Sequence, residues 1–235
     1  MDSNIAIAPG VQSPISGPES KAMTHFLRSK HDAIMIGVGT ATADNPSLNC
    51  RLEGVGGYGG EGLEGQPRPI IIDPQGRWDF NWTSKVIVLA KEGRGKGPFI
   101  ITLQEPPEWK KKPLEAVGGK YIVCMRGWRD QSKPEPNTHL QWMDMFSALR
   151  EEGIKSIMIE GGGSVINELL NQRNFGSVNS VIVTVAPMWM GKGGVQVCPE
   201  ARRENAEKVP MARLRDVKWV PLGEDVVLCG RPKLH

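Results

Sequence analysis

Short apolar runs alternate along this chain with segments of helical periodicity. The runs "DAIMIGV", "RPIIID", "KVIVLA" and "KYIVCM" are rich in β-branched residues and are bounded by Gly, Pro or charged residues. Runs of this kind are typical of strands that are buried on both faces of a parallel sheet. The pattern therefore predicts strands over residues 32–38, 68–73, 85–90 and 120–125.

Three other segments have the features of helices. In "SGPESKAMTHFLRSK" (16–30), Ser16 and Glu19 have the spacing of a capping box, and apolar residues fall on one face. The segment "NTHLQWMDMFSALREEG" (137–153) repeats apolar residues at near-helical spacing and ends on a glycine. A third helix is predicted over "SVINELLNQ" (164–172).

The later part of the chain returns to strands. "IKSIMIE" (154–160) and "SVNSVIVTVAP" (177–187) are strand-like, and "VKWVPLGEDVVLCG" (217–230) has two strand-like pieces around a Gly-Glu-Asp turn. The alternation of strands and helices predicts an α/β fold with a mostly parallel central sheet flanked by helices. The last segment predicts a C-terminal antiparallel hairpin.

Two stretches interrupt this pattern. Residues 53–66 are rich in glycine without a repeating period, and they predict a flexible loop insertion. Residues from about 91 to 115 mix basic residues with Gly and Pro, and they predict a second loop insertion. Within the latter, "EWKKKP" is interpreted as a solvated run of charge. No repeat or clear linker divides the chain, so a single domain is predicted over residues 1–235.

Composition narrows the class of protein. The 235 residues allow one sizeable core, and 39% hydrophobic and 23% charged residues are ordinary globular values. A net charge of only +3 argues against a dedicated nucleic-acid-binding protein. The cysteines lie far apart without a C-x-x-C, which predicts no metal site and a reduced setting. Without a membrane-length apolar run or a signal peptide, a cytoplasmic location is expected.

The stretch "IMIEGGGSVINELL" (157–170) is the first candidate for chemistry. A predicted strand ends at Glu160 and a predicted helix begins near Ser164, with three glycines between them. Backbone N–H groups at a helix start are unpaired, and the absence of Cβ atoms lets a phosphate come close. The residues alone favour equally a pyrophosphate site and a tight turn with Ser164 as N-cap. The spacing of a Rossmann fingerprint is absent.

The second candidate follows the predicted strand over residues 32–38. Polar residues, including Thr40 and Asp44, occur where this strand ends, and open α/β sheets bind ligands at the carboxyl ends of their strands. A threonine hydroxyl and a carboxylate suit a ribose. Taken alone, however, Asp44 and Asn45 before Pro46 favour an Asx turn.

Two arginines, Arg28 and Arg51, flank this second candidate segment. A guanidinium binds a phosphate through two parallel hydrogen bonds, so both are candidates for an anion site. The histidines have no metal-ligand spacing, and no G-x-S-x-G supports a serine nucleophile.

Four motifs, in this order, resemble those of the riboflavin-biosynthesis pyrimidine reductase family: "SGPESKAMTHFLRSKHDAIMIGVGTATADNPSLNCRL", "RPIIID", "IMIEGGGSVINELL" and "VTVAPMWMGKGG". The resemblance spans about residues 15–197 and implies a dihydrofolate-reductase-like fold. The zinc deaminase signature, H-x-E with P-C-x-x-C, is absent. The chain is therefore similar to the stand-alone reductase of the fungal and archaeal type.

The resemblance also implies roles for individual residues. Those expected to contact the cofactor, NADPH, are Thr40, Asp44, Gly161, Gly162, Gly163, Ser164 and Val165. Those expected to contact the substrate are Arg28, Leu48, Arg51 and Glu160, with a further position near Ser13. Arg51, with Arg28, is expected on the substrate phosphate, and Glu160 is the catalytic candidate, near the ribose hydroxyls or the developing amine. Arg94 or Lys96 is a candidate for the 2′-phosphate of NADPH.

The reaction that the resemblance implies is the NADPH-dependent reduction of 2,5-diamino-6-ribosylamino-4(3H)-pyrimidinone 5′-phosphate to its ribitylamino counterpart. The glycosylamine opens to an imine, whose C1′ accepts a hydride. Members of the family pair as homodimers, so a homodimer without membrane or nucleic-acid partners is expected.

One departure from the family concerns the start of the chain. Family members carry a strand and an S-x-D-G-like turn ahead of the capping box, whereas this chain opens at "MDSNIAIAPG". We therefore expect an N-terminally shortened form with two exposed strand edges. The alternative function is accordingly a catalytically impaired, N-terminally truncated NADPH-binding homologue. A nucleic-acid module that uses "KEGRGKG" and "WKKKP" is a third, disfavoured hypothesis.

Overall fold

The computed structural model of the protein describes residues 1–11, 13–124, 140–205 and 207–233. The chain forms two compact units: a central unit, His25–Glu160, and a terminal unit made of Met1–Thr24 and Gly161–His235. The single domain expected over residues 1–235 stays a prediction.

The strands and helices are bounded as follows. The strands are β1 (Asn4–Ala6), β2 (Ala33–Gly37), β3 (Val55–Gly56), β4 (Gly59–Gly60), β5 (Arg68–Ile72), β6 (Phe99–Thr102), β7 (Lys120–Val123), β8 (Ile157–Ile159), β9 (Val181–Val185), β10 (Val195–Gln196), β11 (Arg202–Glu204), β12 (Glu207–Val209), β13 (Arg213–Leu222) and β14 (Asp225–Lys233). The helices are α1 (Pro18–Arg28), α2 (Val38–Asp44), α3 (Lys85–Lys91), α4 (Glu108–Glu115), α5 (Trp142–Glu151) and α6 (Gly163–Leu169), with a 3-10 turn at Phe175–Ser177.

A parallel sheet with the strand order β7-β6-β5-β2-β8 forms the middle of the central unit, among the residues described. Ile34, Met35, Ile70 and Ile71 in β2 and β5 are fully buried. This burial explains their continuous apolar pattern, because both faces of a parallel sheet are covered. The predicted strands over 32–38, 68–73 and 154–160 are confirmed, as is the described part of 120–125.

The predicted strand over residues 85–90 is wrong, because "KVIVLA" forms helix α3. Its first N–H group, on Lys85, donates to the side-chain Oδ1 of Asn45 at 2.9 Å, so a helix-start donor is satisfied. Val86 and Ile87 turn into the core. The strand beside β5 is instead "FIIT", β6, which lies inside the stretch predicted to be a loop.

Neither predicted insertion is without structure. The stretch from about 91 to 115 contains β6 and helix α4, so its description as a loop insertion is wrong. The run "EWKKKP" lies in α4, where Glu108 and Lys112 are exposed, in agreement with a solvated run of charge. Residues 53–66 include β3 and β4 and end in Gln66, whose side chain is buried and hydrogen-bonded.

One face of the sheet is covered by α2, α3 and α4, which contribute to a common hydrophobic cluster. Its buried members are Ile34, Ile36, Val38, Ala41, Leu48, Ile71, Trp78, Val86, Ile87, Ile100 and Leu114. Helix α5 confirms the described part of the helix predicted over 137–153; it buries Trp142, Met145 and Leu149, whereas Met143 is exposed. The α/β class with a mostly parallel central sheet is therefore confirmed.

In the terminal unit, β14 pairs antiparallel with both β13 and β9, which confirms the C-terminal hairpin. Asp225, the first residue of β14, accepts hydrogen bonds from the backbone N–H of Gly17 at 2.9 Å and the hydroxyl of Ser20 at 2.6 Å. The start of α1 is thus satisfied by a carboxylate from the hairpin rather than by the predicted box of Ser16 and Glu19. None of the helices in the described ranges is long and apolar enough to cross a membrane.

Candidate active site

Arg28 and Glu160 form a two-point ion pair in the central unit. Arg28 Nε lies 3.0 Å from Glu160 Oε1, and Arg28 Nη2 lies 2.7 Å from Glu160 Oε2. The two side chains are only 13% and 25% exposed. Charge-assisted pairs with this parallel geometry are among the strongest hydrogen bonds in proteins. Both carboxylate oxygens therefore have a fixed position.

The fold explains why these two residues meet. Glu160 follows β8 directly, and its N–H donates to the carbonyl of Met35 in β2 at 2.9 Å, which continues the ladder by one residue. Arg28 is the last residue of α1, and its third nitrogen, Nη1, donates to the carbonyl of Asn49 at 3.1 Å. The Arg28 guanidinium is thus engaged on two sides by the protein itself.

The second arginine, Arg51, has an exposed side chain. Its Nη1 donates to the side-chain Oδ1 of Asn49 at 3.2 Å, and its backbone N–H donates to Nδ1 of His25 at 3.3 Å. Arg28 and Arg51 are therefore linked through the same residue, Asn49. The structure brings together three of the four predicted substrate residues, Arg28, Arg51 and Glu160, in what we call the polar cluster.

His25 adds a neutral acceptor to the polar cluster. Burial, followed by the positive charges of Arg51 and Arg28, lowers the pKa of His25 from 6.5 to about 4, while Glu160 acts in the opposite direction. The hydrogen bond from the Arg51 N–H requires that Nδ1 carries no proton, which agrees with the lowered pKa of His25. The imidazole is consequently an acceptor at neutral pH.

The fourth predicted substrate residue, Leu48, is different. Its side chain is 3% exposed and belongs to the hydrophobic cluster, and its backbone has a positive φ of 50°. That conformation is uncommon for a leucine. The Leu48 side chain therefore packs in the core, and only its backbone is left to face a ligand.

Thr40 and Asp44 lie on helix α2, which follows β2 without a break. They are four residues apart and so lie on the same face of the helix. The carboxylate of Asp44 makes no hydrogen bond or ion pair with any residue that the structure describes. No Asx turn uses this carboxylate; instead Asn45 adopts a left-handed conformation at the end of α2 and binds the start of α3.

Helix α2 and Glu160 both follow the carboxyl ends of neighbouring parallel strands. Met35 of β2 is opposite Ile159 of β8 in a parallel pair, and α2 begins three residues after Met35. The carboxyl ends of parallel strands are where open α/β sheets bind ligands. Thr40 and Asp44, predicted for the cofactor, and Glu160, predicted for the substrate, thus follow the carboxyl ends of two adjacent strands.

The glycine turn, Gly161–Gly163, belongs to the terminal unit. Gly162 is the N-cap of α6 and its peptide bond to Gly161 is cis. A Cβ at Gly163 would lie 2.8 Å from Val195 Cγ1 and 3.2 Å from the carbonyl of Gln196, whereas a Cβ at Gly161 would meet none of the described residues within 4 Å. Two glycines of this turn therefore differ: one permits packing against β10, and the other leaves open space.

The remaining predicted residues are placed as follows. Ser164 is exposed and is not the N-cap, and Val165 is half-buried in α6. Ser13 accepts the N–H of Ile7 at 3.1 Å. Arg94 lies over the ring of Tyr58, at 4.9 Å from the centroid, and forms an ion pair with Glu92.

Lys96, the other candidate for the 2′-phosphate, is half-buried. Burial, with a smaller contribution from the charge of Arg68, lowers its pKa. His139 and His235 lie outside the described residues.

Sequence reasoning missed Asn49 and His25, which bind residues of the polar cluster. Asn49 is 1% exposed, yet its amide binds the Tyr58 hydroxyl at 2.8 Å and the Arg94 carbonyl at 3.0 Å. An asparagine before a cysteine and an arginine has no distinctive pattern. The position of His25 three residues before Arg28, on one helix face, was the available signal.

Comparison with known proteins agrees with this architecture. The profile of a family described as "RibD C-terminal domain" matches residues 1–228. The 2,5-diamino-6-ribosylamino-4(3H)-pyrimidinone 5′-phosphate reductase of Debaryomyces hansenii is 39% identical over 233 residues, covering 98% of this chain and 85% of that protein. The Saccharomyces cerevisiae protein of the same name is 36% identical over 232 residues, covering 98% and 82%.

Solved structures give the same result. The Saccharomyces cerevisiae riboflavin biosynthesis reductase Rib7 superposes with a TM-score of 0.74 at 34% identity, covering 99% of this chain and 86% of that one. Acinetobacter baumannii RibD superposes with a TM-score of 0.71 at 20% identity. The match covers 100% of this chain and 56% of the RibD chain, and it supports the fold alone. The class is thus that of α/β proteins with the RibD reductase fold. The chain belongs to the RibD C-terminal domain family.

Proposed function

We propose that the protein catalyses the NADPH-dependent reduction of 2,5-diamino-6-ribosylamino-4(3H)-pyrimidinone 5′-phosphate to the ribitylamino product in riboflavin biosynthesis. The observation that carries this proposal is the polar cluster, in which Arg28 fixes Glu160 and leaves Arg51 exposed. A fixed carboxylate and an exposed guanidinium suit a substrate with sugar hydroxyls at one end and a phosphate at the other. Relatives that carry this name support the same reaction.

Within the polar cluster, we assign the substrate phosphate to Arg51. The guanidinium of Arg28 already binds Glu160 and the carbonyl of Asn49, so its role is to position Glu160. This refines the expectation that both arginines bind phosphate. Leu48 contributes through its backbone, because its side chain is in the core.

Glu160 acts as a hydrogen-bond acceptor. Both of its oxygens accept bonds from Arg28, which fixes their position. An ionised carboxylate accepts hydrogen bonds from ribose hydroxyls or from the amine nitrogen of the substrate, and so holds the opened sugar for reduction at C1′. Its geometry suits orientation of the substrate better than donation of a proton.

The reductase family uses a nicotinamide cofactor, and features in each unit fit one. Thr40 and the Asp44 carboxylate, which makes no bond within the described ranges, suit a ribose, and the space that the described residues leave open at Gly161 suits the close approach of a phosphate. We assign Thr40, Asp44, Gly161, Gly162, Gly163, Ser164 and Val165 to the cofactor, and NADPH as its identity. When bound, it supplies the hydride.

Two further expectations stay predictions. They are pairing as a homodimer and location in the cytoplasm. Nothing in the comparisons favours the alternative of a catalytically impaired NADPH-binding homologue.

The proposal is tested by incubating the purified protein with NADPH and the ribosylaminopyrimidine phosphate. The expected result is stoichiometric loss of NADPH and formation of the ribitylamino product, identified by mass spectrometry. Loss of this activity in Glu160→Gln and Arg51→Ala, with Arg150→Ala as an exposed arginine control, would tie the reaction to the polar cluster. Binding of NADPH without turnover would contradict the proposal.

A further inference from the structure

The peptide of Cys50, immediately before Arg51, is bound on both sides by one side chain. Gln66 Oε1 accepts the N–H of Cys50 at 2.9 Å, and Gln66 Nε2 donates to the carbonyl of Cys50 at 2.7 Å. This pair of bonds is what a neighbouring β-strand would supply. The Gln66 side chain thereby takes the place of a strand at the position where the chain leads into the exposed arginine.

The Gln66 amide is fully used. Its second N–H donates to the carbonyl of Gly56 at 2.8 Å, and the residue is 1% exposed. A buried amide without partners is costly, so replacement by an apolar residue would leave the Cys50 N–H and two carbonyls unpaired. The position of Gln66 is therefore defined from three directions.

The glycine-rich segment that precedes Gln66 is shaped for this contact. A Cβ at Gly56 would lie 2.5 Å from the N of Glu64, and a Cβ at Gly60 would come into conflict with the carbonyl of Gly54. The segment thus folds back on itself with backbone against backbone, which only glycine permits. Gly56, one of these closely packed glycines, also supplies the carbonyl that accepts a hydrogen bond from Gln66.

Two other side chains hold Arg51 directly. His25 Nδ1 accepts the Arg51 N–H at 3.3 Å, and the carbonyl of His25 accepts the thiol of Cys50 at 3.1 Å. Asn49 Oδ1 accepts Nη1 of the guanidinium at 3.2 Å. The backbone and the charged end of Arg51 are consequently held by residues that add no charge of their own.

We propose that Gln66, together with His25, is a positioning residue for Arg51 and so sets the affinity for the phosphate group of the substrate. The inference rests on the proposed function, in which Arg51 binds that phosphate. The backbone N–H of Arg51 and its guanidinium are already restrained by His25 and Asn49, so less entropy is lost when the guanidinium binds an anion. The segment 53–66 then serves substrate binding through Gln66, without contacting the substrate.

A purely structural role for Gln66 makes a different prediction. It would lower stability and would lower activity equally on any substrate. A positioning role acts only through the phosphate, so it is visible as a change in preference between the phosphorylated substrate and its dephosphorylated nucleoside. Comparing kcat/KM for the two compounds separates these roles.

The experiment uses two disruptive variants, a rescue variant and a loop control, all in the full chain with NADPH. Gln66→Met removes the amide at similar length, and His25→Leu removes the Nδ1 acceptor at a half-buried position that tolerates substitution better. His25→Asn keeps an acceptor near the place of Nδ1. Glu61→Ala changes an exposed side chain of the same segment, and Arg51→Ala sets the full size of the phosphate effect.

Gln66→Met and His25→Leu are expected to lower kcat/KM for the phosphorylated substrate about tenfold, through KM, and to change it about twofold or less for the nucleoside. His25→Asn and Glu61→Ala should behave like the wild type. If Gln66→Met does not fold, the kcat/KM values of His25→Leu for the two substrates test the inference. Retained preference for phosphate in these variants, while Arg51→Ala loses it, overturns the inference alone. If Arg51→Ala itself keeps the preference, the assignment of the phosphate to Arg51 fails, and the inference fails with it.

Discussion

Arg28 and Glu160, which are 132 residues apart in sequence, bind each other through two parallel hydrogen bonds of 3.0 and 2.7 Å. The pair joins the end of helix α1 to the end of strand β8 and fixes both oxygens of the carboxylate. The proposed chemistry depends on this arrangement, because a carboxylate held on both oxygens keeps its remaining lone pairs in fixed directions.

The first prediction concerns this pair. Arg28→Lys replaces a planar fork by a single point of charge, so Glu160 keeps its charge but loses its orientation. We expect kcat to fall about tenfold or more while the Kd for NADPH stays near the wild-type value. Steady-state kinetics and a cofactor titration check this, with Arg150→Lys, at an exposed position of α5, as the matched control. Wild-type kcat in Arg28→Lys would show that the fork is not needed.

The second prediction concerns the unpartnered carboxylate of Asp44. Asp44→Ala removes an acceptor that makes no bond within the described parts of the chain, so stability should change little. The Kd for NADPH should rise about tenfold, the effect of losing one hydrogen bond to a charged group. Thr42→Ala, exposed on the same helix, is the control. Quenching of NADPH fluorescence measures both, and equal Kd values for the two variants would remove Asp44 from the cofactor site.

The third prediction separates the glycines of the turn. Neither Gly161 nor Gly163 has a positive φ, so alanine is compatible with both backbones. Gly163→Ala brings a methyl against Val195 and should lower the free energy of unfolding by about 1–3 kcal/mol. Gly161→Ala meets no neighbour, so it should fold normally and weaken NADPH binding. Urea unfolding with cofactor titration tests both, and normal binding by Gly161→Ala would contradict a phosphate at that position.

The fourth prediction concerns pH and His25, whose pKa is about 4 in the folded protein against 6.5 ordinarily. Between these values the unfolded chain binds more protons, so stability is fully present above about pH 6.5 and is lost as the pH falls toward 4. Allowing for solvent screening, the loss should be about 1–2 kcal/mol. His25→Asn should flatten this part of the curve of unfolding free energy against pH. An unchanged slope in the variant would assign the loss to other groups.

The strands could be predicted where the apolar runs lie in the middle of the sheet. Burial on both faces leaves a continuous pattern, and β2 and β5 have it. The run "KVIVLA" has the same composition but forms a helix, because Asn45 binds its first N–H and "FIIT" occupies the place beside β5. Periodicity cannot separate a short buried helix from a buried strand.

The candidate residues of the site were predicted better than their partners. Arg28, Arg51 and Glu160 were all expected, through resemblance, and the structure brings them together. The engagement of Arg28 by Glu160 was not expected, because pairing across 132 residues depends on the tertiary fold.

The role of Gln66 was hidden for another physical reason. Glycine-rich composition is typical of flexible segments, and nothing in "EGLEGQ" indicates that the last residue is buried. Its burial follows from close backbone packing, as at Gly56, which sequence composition does not report.

The central claim is that this chain reduces the ribosylaminopyrimidine phosphate with NADPH. The most direct test is a single turnover with NADPH that carries deuterium at its transferable position, followed by mass spectrometry of the product. The account predicts a ribitylamino product with one deuterium at C1′, formed in proportion to the NADPH consumed. Binding of the labelled cofactor with no deuterium in any product would contradict it.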